Sequence, residues 1–225
     1  MVCIVAASKR WHSDLENNLY NRTSKEFIAV DSPEQLTEEY LAKINPEYIF
    51  FPHWSHIIPS GIFKKFECVI FHMTDLPFGR GGSPLQNLIA SGIYQTQLSA
   101  LRCEEGIDSG PVYLKKPLSL QGRAQEIYQK ANLMIEDMIV EIIKNKITPI
   151  PQEGEIVSFK RRKPEDGNLA ALDNLVKVYD YIRMLDADGY PNAFIETDKL
   201  VFEFSNATLE GNEIRAHVKI KLKKE

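Results

Sequence analysis

Cys68-Val69-Ile70-Phe71-His72, running on into Met73-Thr74-Asp75-Leu76-Pro77-Phe78-Gly79-Arg80-Gly81-Gly82-Ser83-Pro84, is the stretch that decides the fold of this chain. Cys68 to Phe71 is apolar without interruption, the pattern of a strand buried on both faces of a parallel sheet. His72 then stands at the strand's carboxyl end, the edge of an open α/β sheet where ligands bind. Pro77, Gly79, Gly81 and Gly82 make a turn that brings main chain close to a ligand. Ser83-Pro84 reads as an N-cap with proline at the first helical position, opening a helix through Leu85, Leu88 and Ile89. A second stretch, Cys103-Glu104-Glu105-Gly106-Ile107-Asp108-Ser109-Gly110, sets a carboxylate between two glycines. Alone, a strand-end histidine is an ordinary structural residue and Asp-Ser-Gly an ordinary turn.

Outward from this centre the chain alternates strands and helices. Val2 to Ala6, Glu26 to Val30 and Tyr48 to Phe51 read as strands, the first at the centre of a doubly wound sheet. Ser32-Pro33-Glu34-Gln35 begins a helix that carries Leu36, Tyr40 and Ile44 at helical spacing. Gln95 to Arg102 and Pro111 to Leu120 read as further strands, and Arg123 to Lys146 as a strong amphipathic helix. Pro149, Pro151 and Gly154 mark a linker. Beyond it follow a basic-then-acidic turn at Phe159 to Gly167, a helix at Leu172 to Leu185, and antiparallel strands at 192–197, 200–208 and 214–222. The expected architecture is α/β: a Rossmann-like, doubly wound, mostly parallel sheet over residues 1–155, with a small C-terminal α+β domain over 156–225.

Composition excludes several classes. With 225 residues, 44% of them hydrophobic, the chain can bury a sizeable core. The N-terminal apolar run is broken by Lys9, Arg10 and His12, so the expectation is a cytoplasmic protein that makes no use of a membrane. Cys3, Cys68 and Cys103 sit in apolar strands and predict buried thiols without a disulfide. No Cys-x-x-Cys or His-x-x-x-His occurs, so no metal is expected. A net charge of -4 argues against a nucleic-acid partner. Ala7 to His12 carries no Gly-x-Gly-x-x-Gly; Lys9 and Arg10, at the end of the first strand, either meet a substrate phosphate or are simply solvated.

Together the two central stretches resemble the formyltransferases that use 10-formyltetrahydrofolate. Their pattern is Asn-x-His-x-Ser-x-Leu-Pro-x-x-Arg-Gly-x-x-Pro, then Asp-x-Gly after one more strand. His72, Thr74 (for serine), Leu76, Pro77, Arg80, Gly81, Pro84, Asp108 and Gly110 fall on it. The family asparagine is replaced by Ile70. The resemblance implies a formyltransferase fold and an enzyme with 10-formyltetrahydrofolate as cosubstrate and no metal. The loop Pro52-His53-Trp54-Ser55-His56-Ile57-Ile58-Pro59 falls where the family's main chain binds the pteridine. Trp54, His56, Ile57 and Ile58, with Glu105 from the second stretch, are then the cofactor-binding candidates; the plain alternative is a turn packed by its tryptophan. Lys9, Arg10 and Arg80 are the candidates for the second substrate. The segment Arg161-Arg162-Lys163-Pro164-Glu165-Asp166 resembles the family's domain junction, though a charge run is usually a solvated face.

The chemistry needs few groups. An amine attacks the formyl carbon, the carbonyl oxygen becomes an oxyanion, and a proton passes from the amine to the departing folate nitrogen. Histidine titrates near neutrality, so His72 suits oxyanion stabilisation or proton shuttling, and the resemblance gives Asp108 the task of acting on the amine. Ile70 cannot donate a hydrogen bond, and loss of an oxyanion donor commonly costs roughly 2.7 to 4 kcal/mol of barrier. His53, Ser55, Thr74 and Asn87 are the replacements, with His53 favoured because it also ends a strand. The main expectation is formylation of a nucleotide-linked amino sugar, by likeness to a bacterial group linked to pseudaminic-acid-type sugars, with a homodimer left open. Methionyl-tRNA formyltransferase is the alternative, set second because the C-terminal segment looks short and weakly charged. Formyltetrahydrofolate hydrolase and a non-catalytic folate-binding or scaffold protein complete the set.

Overall fold

A computed structural model of the protein describes residues 1–8 and 14–223. The strands and helices follow in the order β1 (Val2–Ala6), α1 (Leu15–Thr23), β2 (Glu26–Val30), α2 (Glu38–Ile44), β3 (Tyr48–Phe51), α3 (Ser60–Phe63), β4 (Cys68–His72) and β5 (Phe78–Gly81). They continue as α4 (Pro84–Ala90), β6 (Gln95–Arg102), β7 (Val112–Ser119), α5 (Ala124–Asn145), β8 (Val157–Phe159), α6 (Leu175–Leu185), β9 (Ala193–Glu196), β10 (Leu200–Glu210) and β11 (Glu213–Leu222). The chain forms two compact units, one of residues 1–80, 97–118 and 129–158, the other of residues 81–96, 119–128 and 159–225.

The first unit is built on the sheet β2-β1-β3-β4-β6-β7. β1 to β4 run parallel, and Cys3, Ile4, Val5, Ile49, Phe50, Cys68 and Val69 are buried along them. Their unbroken apolar runs are what a parallel sheet covered on both faces requires. β6 runs antiparallel to β4, pairing Phe71 with Ala100 and His72 with Ser99. Because β6 and β7 extend the sheet beyond β4, β3 and β4 hold its middle, and β1 lies second from the edge rather than at the centre. The α/β fold expected from the sequence is thus present, with its mixed sheet and strand-rich C-terminal extension.

Residues 32–44 do not form the single helix their spacing suggests. Pro33–Gln35 make one 3-10 turn, with the Gln35 Oε1 accepting from the backbone of Asp31 and Ser32. Leu36 leaves helical geometry and is buried, and the Thr37 hydroxyl accepts from Tyr40 N–H to start α2 afresh. Two capping residues five positions apart outweigh the apolar period. All three cysteines are buried free thiols. Burial pushes Cys3 and Cys103 up to about 11, and Cys68 further, which holds them as neutral apolar groups. No helix among the described residues is long and apolar enough to cross a membrane.

In the second unit α6 packs against α4 and against the antiparallel sheet β11-β10-β9. Ser83 has φ +52° and is not a side-chain cap; its hydroxyl accepts from Arg162 N–H at 3.1 Å, which ties the start of α4 to the basic turn. Beneath lies Arg183, 2% exposed, paired with Asp180 at 2.8 Å and donating to the carbonyls of Leu120 and Gly122. Its guanidinium also faces the ring of Tyr94. A fork of donors fixed at several acceptors holds α6 to the 119–122 turn. Arg183→Ala leaves the Asp180 carboxylate buried without its cation, and denaturant titration is expected to show a loss of about 3 to 5 kcal/mol.

Candidate active site

β4 delivers His72 to the carboxyl edge of the parallel strands, and the turn that follows folds back onto its ring. Ser99 Oγ, opposite His72 in register, donates to Thr74 O at 2.7 Å. Thr74 is fully buried, with its hydroxyl 3.4 Å from Gly79 O. Phe78 N–H closes on Asp75 O, the Leu76–Pro77 bond is cis, and Gly79 takes φ +77°, a conformation that glycine reaches without strain. The Gly79 carbonyl lies 2.8 Å from His72 Nε2.

The second motif meets the other ring nitrogen. Its base is fixed where Arg102 N–H donates to Pro111 O and Cys103 N–H to Cys68 O. Asp108 has φ +49°, a left-handed geometry that costs a non-glycine residue energy and that polar residues tolerate best. That geometry sets Asp108 Oδ2 3.5 Å from His72 Nδ1 in a largely buried pair. A carbonyl oxygen and a carboxylate only accept, so each ring nitrogen faces an acceptor. The arrangement is an imidazole held between two acceptors at a sheet edge.

Gln152, which sequence reading passed over, joins the two motifs. Its Oε1 accepts from Arg80 Nε at 3.1 Å and Nη2 at 2.8 Å, and its Nε2 donates to Asp108 O at 2.9 Å and Gly110 O at 2.7 Å. The stretch expected as a linker is bound along the sheet here: Val112 and Ile150 exchange backbone hydrogen bonds, which sets Gln152 opposite Gly110. No local pattern marks a single glutamine among prolines; only this long-range pairing does.

The remaining candidates are placed unevenly. His53 has φ +52° and follows Phe51 by two residues, as His72 follows Ile70; because Phe51 pairs with Ile70, both histidines leave adjacent strands at one level. Trp54 packs edge-on against Phe51 and His56, and its buried Nε1 has no hydrogen-bond partner among the described residues. Ile58 is buried in the core with Ile62, whereas Ile57 is 94% exposed; His56 and Glu105 are also exposed. Ile70 packs between two apolar clusters, one with Phe51 and Cys103, the other with Leu76 and Leu101. Asn87 belongs to the second unit, where its amide donates to Gly82 O and Lys160 O. Lys9 and Arg10 lie outside the described residues. Groups of three or more metal-ligating side chains are absent among the described residues.

Comparison with known proteins gives this geometry a family. The family described as methionyl-tRNA formyltransferase, C-terminal domain, matches residues 164–221. The solved structure of methionyl-tRNA formyltransferase from Clostridium thermocellum is 46% identical, covers 99% of this chain and 100% of its own, and superposes with a TM-score of 0.95. Methionyl-tRNA formyltransferase of Thermodesulfovibrio yellowstonii is 28% identical over 80% of this chain, and the match spans 62% of that relative's length. The formyltransferase PseJ from Anoxybacillus kamchatkensis, solved with UDP-4,6-dideoxy-4-formamido-L-AltNAc and tetrahydrofolate, shares the fold at 18% identity over 86% of this chain and 95% of its own, with a TM-score of 0.62.

The chain belongs to the formyltransferase family, one-carbon transfer enzymes that draw on 10-formyltetrahydrofolate. Within that family the amino-sugar expectation is overturned: the sugar enzyme shares only the fold, while the 46% relative carries another activity in its name. The exclusion of a nucleic-acid partner falls with it. The ranking of the tRNA enzyme second leaned on a C-terminal segment that looked short and weakly charged, yet that segment matches the tRNA enzyme's own C-terminal domain. A net charge averaged over the chain also hides the local run Lys160-Arg161-Arg162-Lys163.

Gly110 offers a direct check on the loop. A Cβ there would stand 2.0 Å from the Arg102 carbonyl oxygen, which is held in the sheet. Gly110→Ala is expected to cost about 1 to 3 kcal/mol by denaturant titration and to lower turnover, because the loop carrying Asp108 must shift.

Proposed function

We propose that this protein transfers the formyl group of 10-formyltetrahydrofolate to the amine of methionyl-tRNA in the cytoplasm. The observation that carries the reading is the 46% identity and TM-score of 0.95, across 99% of the chain, to a methionyl-tRNA formyltransferase. The match of residues 164–221 to that enzyme's C-terminal domain supports it independently.

The residues divide the work as follows. The unprotonated methionyl amine attacks the formyl carbon and its nitrogen forms the new C–N bond. His72, anchored through Nε2 on Gly79 O, offers its Nδ1 side, 3.5 Å from Asp108, to the oxyanion that develops on the formyl oxygen. Collapse breaks the bond to the folate nitrogen, which keeps the electron pair. Asp108 takes the proton lost by the amine, and that proton is returned to the folate nitrogen, so charge balances over the cycle. Ile70 offers no donor to the oxyanion, and His53, brought level with His72 by the β3–β4 register, supplies it. The main chain of residues 52–59, with Trp54 and the exposed Ile57, holds the pteridine. Lys160, Arg161, Arg162 and Lys163 meet tRNA phosphates.

The test is formylation of methionyl-tRNA by the purified protein with 10-formyltetrahydrofolate. The expected result is formylmethionyl-tRNA, formed at a rate that falls as salt rises, with His72→Ala slower by roughly 100-fold or more and His53→Ala affecting turnover more than the folate KM. Release of tetrahydrofolate that does not depend on methionyl-tRNA would overturn the reading.

A further inference from the structure

The amide of Gln152 uses all its hydrogen-bonding capacity on two segments far apart in sequence. Its oxygen takes two hydrogens from Arg80, eight residues after His72, and its nitrogen gives both hydrogens to the carbonyls that flank Ser109. One of those carbonyls belongs to Asp108 itself, which sits in a left-handed conformation that relaxes unless its surroundings hold it. The tip of the loop is otherwise open: Glu104, Glu105, Gly106 and Ile107 are all exposed. Gln152 in turn is placed by the backbone exchange between Val112 and Ile150, and further along the same segment Val157 N–H donates to Pro77 O. The chain thus carries a polar cross-tie from the turn that orients His72 to the loop that carries Asp108.

We propose that Gln152 is a positioning residue for formyl transfer: by gripping the Asp108 and Gly110 carbonyls while anchored on Arg80, it holds the Asp108 carboxylate at His72 Nδ1. This rests on the role given above to Asp108. Arg80, a candidate for substrate contact from its place in the motif, spends its Nε and Nη2 hydrogens inside the protein and acts here as the anchor of the tie. The grip works through catalysis because a displacement of about 1 Å at a reacting group can cost about 100-fold in rate.

Two substitutions separate the halves of the amide. Gln152→Glu keeps the acceptor for Arg80 and loses the two N–H donors; Gln152→Met keeps the volume and loses both. Each is expected to melt close to the wild-type temperature, to lower kcat by about 10-fold to 100-fold, and to leave the KM for 10-formyltetrahydrofolate nearly unchanged. Hydrogen exchange should be faster at the amides of residues 104–110 in both variants and unaltered in β1 and β3. Wild-type kcat in either variant overturns the proposal, as does a fall in melting temperature with kcat per folded molecule preserved. Asp108→Asn is the control: if it turns over normally, the role assigned to Asp108 fails, and the exchange arm alone then decides whether Gln152 holds the loop. Unchanged exchange would refute the positioning role.

Discussion

One imidazole held between two acceptors is the constraint on which the rest of this molecule depends. His72 meets the Gly79 carbonyl on one side and the Asp108 carboxylate on the other, at 2.8 and 3.5 Å, in a site that little solvent reaches. A buried polar group left without its partner costs roughly 1 to 3 kcal/mol. The turn from Met73 to Gly79 and the loop from Cys103 to Gly110 are therefore shaped to bring an acceptor to each nitrogen. The left-handed φ of Asp108 is the local cost of that shape, while glycine at position 79 takes its positive φ without strain. The middle of the sheet supplies rigidity, since β4 is bonded on both edges, by β3 and by β6.

Ile70 shows how this family member departs from its pattern. Two apolar clusters meet at that side chain, so the position strengthens the core, and in the proposed mechanism it leaves the reacting carbonyl without the donor of the family pattern. The parallel register between Phe51 and Ile70 puts His53 at the level of His72, which makes the neighbouring strand the natural source of a replacement. A one-residue slip between β3 and β4 would remove it.

What could be read from the sequence, and what could not, follows from how far apart the deciding contacts lie. The buried strand Cys68 to His72, the glycine turn after it and the long helix 124–145 are written in neighbouring residues, so period and turn chemistry disclose them. The break at Leu36 was hidden because two capping arrangements compete with one apolar period, and only burial decides between them. Ser83 has the residue type of a cap but spends its hydroxyl on Arg162, 79 positions away. Gln152 was invisible for the same reason: its place is set by the backbone pairing of Ile150 with Val112, 38 residues earlier. The partner was misjudged because net charge and apparent domain length are averages over the chain, which hide a local basic run such as Lys160 to Lys163 and the family match of residues 164–221.

The central claim is that His72 and Asp108 act as one unit, and a double-mutant cycle on formyl transfer tests it most directly. Turnover of His72→Ala, Asp108→Ala and the double variant would be measured with saturating 10-formyltetrahydrofolate and methionyl-tRNA. If the carboxylate works through and beside the imidazole, the double variant is hardly slower than the worse single variant, as for groups that act together. If the two losses multiply, the residues work independently and the account of the site is wrong.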